Sequence, residues 1–411
     1  MPAASAASRR PALARAITAL SPGNPGWLVL IASLALTALG MYCIHISDVI
    51  VPGQTAAGNV RAGMGGGGVV IRQGVYAFAG ILGALVIAIP NYRSFGHFTT
   101  ILGALTVAVL AFLLIPIVPT WIVKPHNGAR GWINFGFADL QPAEFAKIVY
   151  VLVVAWYLRY RTTHRRFWGL VPIGLVTMIP VGLITLQPDL GGALLFIPSL
   201  FAMLVAAGAR LRHLTIIVVV AALAAPLCYQ FLRPHQKQRL VGLWKQFQGD
   251  SSADKDINFQ SMTAQTLIGA GGTTGVSPKH SRALLHFNAL PERHNDMITA
   301  VIGNRFGLLG IIATLALMLT WAIGALLVAG STKDPFGRLI AVGLGAFVGF
   351  QAMVNIAMNV GLAPIVGVTL PFVSYGGSSM LSAWLMTGLI INIAIRRPEP
   401  VFNQSFEFDG E

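Results

Sequence analysis

The sequence predicts an all-α integral membrane protein of about ten transmembrane helices, with a long extracytoplasmic loop between helices seven and eight. Three observations predict it. Hydrophobic residues make up 55% of the chain and charged residues only 10%, a balance that suits lipid rather than water as the main solvent. The apolar residues fall in separate runs of about 20, the length a helix needs to cross a bilayer. The basic residues behind the net charge of +14 sit in short clusters between those runs and not along one polar face, so they read as topology signals and no nucleic-acid partner is expected.

From the N-terminus, residues 1–25 are rich in Ala, Ser, Arg and Pro and are expected to form a disordered cytoplasmic tail. The first apolar run is too long for a signal-peptide core and has no small-residue cleavage site after it, so it counts as a helix of the mature protein. Spans are expected at roughly 26–46, 74–90, 99–118, 142–158, 168–186, 190–208, 214–232, 297–327, 337–362 and 376–395. The turn Gln187-Pro188-Asp189 separates the fifth from the sixth, and the long eighth run is expected to kink at Gly307 or Gly310. The ten-helix domain then covers 26–397, with 233–296 as its long outer loop, and 398–411 forms a second cytoplasmic tail.

Orientation follows from Lys and Arg in the short loops. With the N-terminus inside, the cytoplasmic side collects Arg93, Arg159, Arg161, Arg165, Arg166, Arg210, Arg212, Lys333, Arg338, Arg396 and Arg397, whereas the short outer loops keep Arg61, Arg72, Lys124 and Arg130. The long loop is basic too, but long loops weigh little in the rule, so both termini are expected in the cytoplasm. Cys43 and Cys228 lie inside apolar stretches and read as small buried hydrophobes rather than a disulfide or metal framework.

Four strings on the outer side carry polar residues into apolar sequence. Gly128-Ala129-Arg130-Gly131-Trp132-Ile133 runs on to Gln141-Pro142-Ala143-Glu144-Phe145-Ala146-Lys147, where proline opens a helix and Glu144 and Lys147 share a face at i,i+3. A carboxylate near a helix N-terminus is also the ordinary structural arrangement. Gln187-Pro188-Asp189-Leu190-Gly191-Gly192 is a tight turn in which Asp189 reads first as an N-cap. In Leu290-Pro291-Glu292-Arg293-His294-Asn295-Asp296-Met297, Asp296 could again be a cap, yet the ionisable residues crowded at one membrane mouth are costly unless used. Leu370-Pro371-Phe372-Val373-Ser374-Tyr375-Gly376-Gly377-Ser378-Ser379 offers close backbone approach and donors, suited to helix packing or to a phosphate or sugar cradle. Asn355 and Asn359, inside the ninth run, read as amides that bridge helices.

Taken together, GARGWI with QPAEFAK, QPDLGG, LPERHND and LPFVSYGGSS resemble the SEDS proteins (shape, elongation, division and sporulation), the RodA and FtsW group of peptidoglycan glycosyltransferases. The resemblance covers nearly all ten spans and leans toward RodA. It implies a transferase that polymerises lipid II into glycan strands at the outer face of the bacterial cytoplasmic membrane. It also implies a general base at Asp296, with Glu292 as a second carboxylate that orients or tunes it. Arg130, Lys147 and Arg239 are the candidate cations for the departing pyrophosphate. Glu144, Ser374, Tyr375, Gly376, Gly377 and Ser378 are expected to line the substrate cavity.

A divalent cation, Mg or Mn, could share the charge, although no ligand cluster in the sequence demands one. The partner the resemblance implies is a class B penicillin-binding protein, a transpeptidase. The chain departs from the family pattern at Gly303-Asn304-Arg305-Phe306-Gly307, where relatives carry two acidic residues, so Arg305 could pair with Asp296 or Glu292 or meet the lipid phosphate. The rival functions are a lipid II transporter (flippase) and a non-catalytic scaffold of the cell-wall machinery. Transport would place ionisable groups at the bilayer midplane, and this chain gathers them at the outer mouth.

Overall fold

The computed structural model describes residues 23–48, 68–126, 129–136, 138–230, 234–248 and 258–396. Both expected tails, but for residues 23–25, lie outside them, as do Arg61, Gly128, Arg397 and the side chain of Cys228.

Helix α1 spans Gly26–Ser47, α2 Gly68–Ala88 and α3 Tyr92–Phe112. A small antiparallel sheet follows, with β1 (Val123–His126) paired to β2 (Ala129–Asn134) and β2 to β3 (Asp139–Leu140). Next come α4 (Pro142–Leu158), α5 (Val171–Leu186), the short α6 (Leu190–Leu194), α7 (Phe196–Ala206) and α8 (Leu211–Tyr229). The chain closes with α12 (Ile298–Ser331), α13 (Pro335–Asn359) and α14 (Gly377–Ile395). Each of the ten expected spans thus falls at least in part on a helix. Among the described residues, seven helices are long and apolar enough to cross a membrane by length and composition, and the sixth and seventh spans are shorter apolar helices.

Helices α12, α13 and α14 form the centre, packed on α1, α2, α4 and α7. The outer faces of α2 and α3 leave Ile71, Phe78, Ile101 and Leu105 exposed, as a lipid-facing surface requires. Small residues let the central helices close: a side chain at Gly388 on α14 would overlap the Ala84 backbone of α2.

The described residues of the expected outer loop are largely helical. It contains α9 (Pro234–Phe247), α10 (Phe259–Gly271) and α11 (Pro278–Asn288), the last capped by Ser277 with Pro278 at its first turn. The eighth span kinks at Gly307, whose φ of 67° and ψ of −163° leave the helical region and are open to glycine. The kink is filled from the loop: Leu308 and Leu309 donate their amides to the Gly272 and Thr273 carbonyls. Asn304 donates to the Leu267 carbonyl at 2.9 Å, and Arg305 to the Val276 carbonyl at 2.9 Å and the Tyr42 hydroxyl at 3.2 Å. The two departures from the family pattern therefore dock α10 and the turn after it onto α12. Arg305 does not pair with Asp296 or Glu292.

Candidate active site

The segment before α12 is fixed through its backbone. Tyr375 donates its amide to the His294 carbonyl at 2.8 Å. The Ser374 hydroxyl donates to the Asn295 carbonyl at 2.7 Å. The Asp296 carbonyl accepts from both Asn355 Nδ2 and Asn359 Nδ2, each at 2.9 Å. Three consecutive carbonyls are thus held by α13 and by the turn before α14. Asn355 and Asn359 bridge helices as expected, and the bridge ends on Asp296.

Its carboxylate, by contrast, has no hydrogen-bond partner among the described residues. The cap of α12 is Met297, and no side chain caps the helix, so the N-cap reading of Asp296 fails. The carboxylate is half-buried beside Gly367, whose φ of +75° favours glycine. Burial first, then the negative charges of Glu292 and Asp189, push Asp296 up to about 7, and Arg239 opposes the rise. Glu292 is tied separately, accepting from Asn295 Nδ2 at 2.6 Å. Burial and neighbouring Arg293 hold His294 down at about 4, so its ring is neutral at pH 7, and its Nδ1 lies 2.7 Å from the Ser47 hydroxyl.

Asp189 has the capping role read from sequence, accepting the Gly192 amide at 2.8 Å, and burial raises it as well. Its second oxygen accepts weakly from Gln141 Nε2 at 3.4 Å. Asp189 therefore links the Asp296 neighbourhood to a second polar knot. There Lys147 donates to Glu144 at 2.7 Å and to Gln351 at 2.9 Å, and Ser382 donates to Glu144 at 2.9 Å. Lys147 is 2% exposed, so the knot joins α4, α13 and α14 in the interior. Ser378 accepts the Gln141 amide at 2.8 Å, and Gly376 donates to Gln73 on α2 at 3.2 Å. Gly377 opens α14 against the Tyr76 ring, and Tyr375 lies 6.4 Å from that ring.

Of the three candidate cations, the structure brings one to Asp296. Arg239, exposed on α9, donates to the Ile365 carbonyl at 2.7 Å and acts electrostatically on the aspartate. Arg130, on β2, turns to the Val118 carbonyl at 3.0 Å and the Pro116 carbonyl at 3.4 Å. Among the described residues no three His, Cys, Asp or Glu side chains form a group that could hold a metal ion, so no step is assigned to a divalent cation. Sequence reasoning passed over Gln351 and Gln73. A signal existed for the first: Gln351, Asn355 and Asn359 recur every four residues and so share one face of an otherwise apolar helix.

The family model described as a cell cycle protein, for FtsW, RodA and SpoVE, matches residues 27–399. A protein of Trichlorobacter lovleyi named "Probable peptidoglycan glycosyltransferase FtsW" is 31% identical over 89% of this chain and 92% of its own length. Stage V sporulation protein E of Bacillus subtilis is 28% identical over 79% of this chain and 86% of its own. Among solved structures, a chain of a peptidoglycan synthase complex studied for coordination of polymerization and crosslinking superposes with a TM-score of 0.73 at 27% identity, covering 91% of this chain and 98% of that one. The rod shape determining protein RodA of Thermus thermophilus shares the fold, with a TM-score of 0.64 at 24% identity over 91% of this chain and 98% of that chain. The lean toward RodA thus meets sequence relatives that carry the FtsW and sporulation names, and what all of them share with this chain is the family. With its motifs in order, its helices in place and nearly its full length matched, this chain belongs to the FtsW/RodA/SpoVE family.

Proposed function

We propose that the chain polymerises lipid II at the outer face of the bacterial cytoplasmic membrane, with Asp296 as general base. The reaction class rests on the family and on the names its relatives carry. The observation that carries the residue assignment is the contrast within Asp296: a backbone carbonyl clamped by two asparagines, and a carboxylate left without a hydrogen bond. A sugar hydroxyl is a poor nucleophile, and an aspartate titrating near 7 is matched to taking its proton. The hydroxyl oxygen bonds to the anomeric carbon of the donor, its proton passes to Asp296, and the bond to the lipid pyrophosphate breaks with its electron pair. Arg239 stands by that leaving group. Ser374, Tyr375, Gly376, Gly377 and Ser378 shape the wall beside these two, and Glu292 tunes Asp296 through its charge. Lys147 with Glu144 supports that wall from the interior, while Arg130 holds the loop before β1. Both termini are cytoplasmic, and the partner is a class B penicillin-binding protein that crosslinks the strands.

The test is purified full chain with that partner and fluorescent lipid II. Glycan polymer supports the assignment, whereas transbilayer movement of lipid II in vesicles without polymer replaces it with transport. Two further outcomes follow. Base catalysis needs the ionised carboxylate, so the rate falls as pH drops through the Asp296 value. Glu292→Gln removes a charge that raises it, and the acid limb moves to lower pH; a limb that stays or moves up removes Glu292 from the site. Replacing Asn355 and Asn359 together by alanine frees the Asp296 carbonyl, and a displacement of about 1 Å costs up to roughly 10²-fold in turnover. The KM for lipid II should hardly change, and a raised KM with normal turnover would count against a positioning role.

A further inference from the structure

At the far end of the bundle from Asp296, a recess of about 490 Å³ is lined by Arg93, His97, Arg159, Lys333 and Asp334, with Trp156, Tyr160 and Phe336 as its aromatic wall. Helix α13 connects the two sites: it starts at Pro335 beside the recess and ends at Asn359 on the Asp296 carbonyl. Its 25 residues, at a rise of about 1.5 Å each, separate them by roughly 35 Å, close to the thickness of a bilayer's hydrocarbon core. The recess therefore lies at the opposite membrane interface from the active site, on the side where the short loops collect their basic residues.

We propose that this recess binds the phosphate of an anionic membrane lipid. Its single carboxylate is already engaged, since Asp334 accepts from the Tyr92 hydroxyl at 2.9 Å and the Gly337 amide at 3.4 Å and lies 3.5 Å from Arg93. Arg159 and Lys333 have no carboxylate or hydrogen-bond partner among the described residues. Arg159 is seated instead on the Trp156 face, 3.0 Å from the ring centroid, and 4.7 Å from that of Tyr160. The seat is built into the packing, because a side chain at Gly96 on α3 would overlap the Trp156 ring. A guanidinium held on an aromatic shelf presents its N–H edge to an anion at little entropic cost. Tyr160 at 73% exposure and Trp168 at 80% mark this end as an aromatic belt at the headgroup level. The exposed Phe98, Ile101 and Leu105 of α3 lead away from the recess and supply a track for acyl chains.

Cations placed only to set topology would sit on loops with no cavity between them, and native mass spectrometry separates the two cases. The full chain is released from nanodiscs of equal phosphatidylglycerol and phosphatidylcholine. The wild type should retain phosphatidylglycerol preferentially, and Arg159→Gln with Lys333→Gln should weaken that retention about tenfold or more, at the order expected for two headgroup cations. Should the pair fail to fold, the exposed Lys333→Gln alone should still lower it severalfold. The control triple variant Arg165→Gln, Arg166→Gln and Arg210→Gln removes surface-loop charge and should leave retention unchanged. Displacement by excess inorganic phosphate would identify a free phosphate as a second occupant of the same site, and resistance to it would identify the lipid headgroup alone. Equal retention by the wild type and the recess variant, or equal loss in the control, would overturn the proposal.

Discussion

Asp296→Asn is expected to lower the rate of glycan polymerisation by roughly 10²–10⁴-fold, the contribution of a positioned general base. Asparagine matches aspartate in size and keeps the main-chain carbonyl that Asn355 and Asn359 hold, so the segment keeps its course into α12. What it lacks is an ionised oxygen able to accept the hydroxyl proton. Binding of lipid II should survive, because Arg239 and the walls before α14 are untouched. Asp296→Glu keeps the acid but lengthens the arm past Gly367, and should recover only part of the loss. Polymer from Asp296→Asn within twofold of the wild type, at equal protein, would remove the carboxylate from the chemistry.

Lys147→Ala should strongly destabilise the membrane domain. Lys147 is 2% exposed and Glu144 8%, and truncating the lysine leaves the Glu144 carboxylate facing only Ser382. An uncompensated buried charge of this kind costs about 3–5 kcal/mol, which thermal inactivation in detergent would register as an early loss of folded protein. The partner test is Glu144→Gln combined with Lys147→Met, which removes both charges at similar volume and should return most of the stability. A Lys147→Ala protein as heat-resistant as the wild type would mean that the pair is solvated and not the interior knot of α4, α13 and α14.

The spans were legible because lipid leaves few alternatives to a long apolar helix, and their errors have local causes. The second helix starts at Gly68 and not near 74, because Arg72 and Gln73 read as loop. Gln73 is nonetheless buried, donating to the Ser374 carbonyl at 3.1 Å and accepting the Gly376 amide. A polar residue with partners belongs in a helix interior, and those partners lie three hundred positions away. The third helix starts at Tyr92, capped by Asn91, where Arg93 reads in sequence as part of a short loop. It stops at Phe112, ahead of Pro116 and Pro119. The helices of the outer loop escaped notice because their apolar content is modest, although Ser277-Pro278 was a readable start signal.

For the site, the motifs gave Asp296 and its company but not their division of labour. Lys147 reads in sequence as a cation for phosphate, and its burial against Glu144 and Gln351 becomes visible only in three dimensions. Asn304 and Arg305 look like a disturbance of the charge beside Asp296, and prove to hold α10 against the kink at Gly307.

The most direct test of the central claim is the pH dependence of polymerisation, measured for the wild type and Asp296→Asn side by side. Burial and the nearby carboxylates place the aspartate near 7, so the wild-type rate should fall along an acid limb around that pH. The residual rate of the variant should show no such limb. The same limb in both proteins would mean that the titrating base is another group.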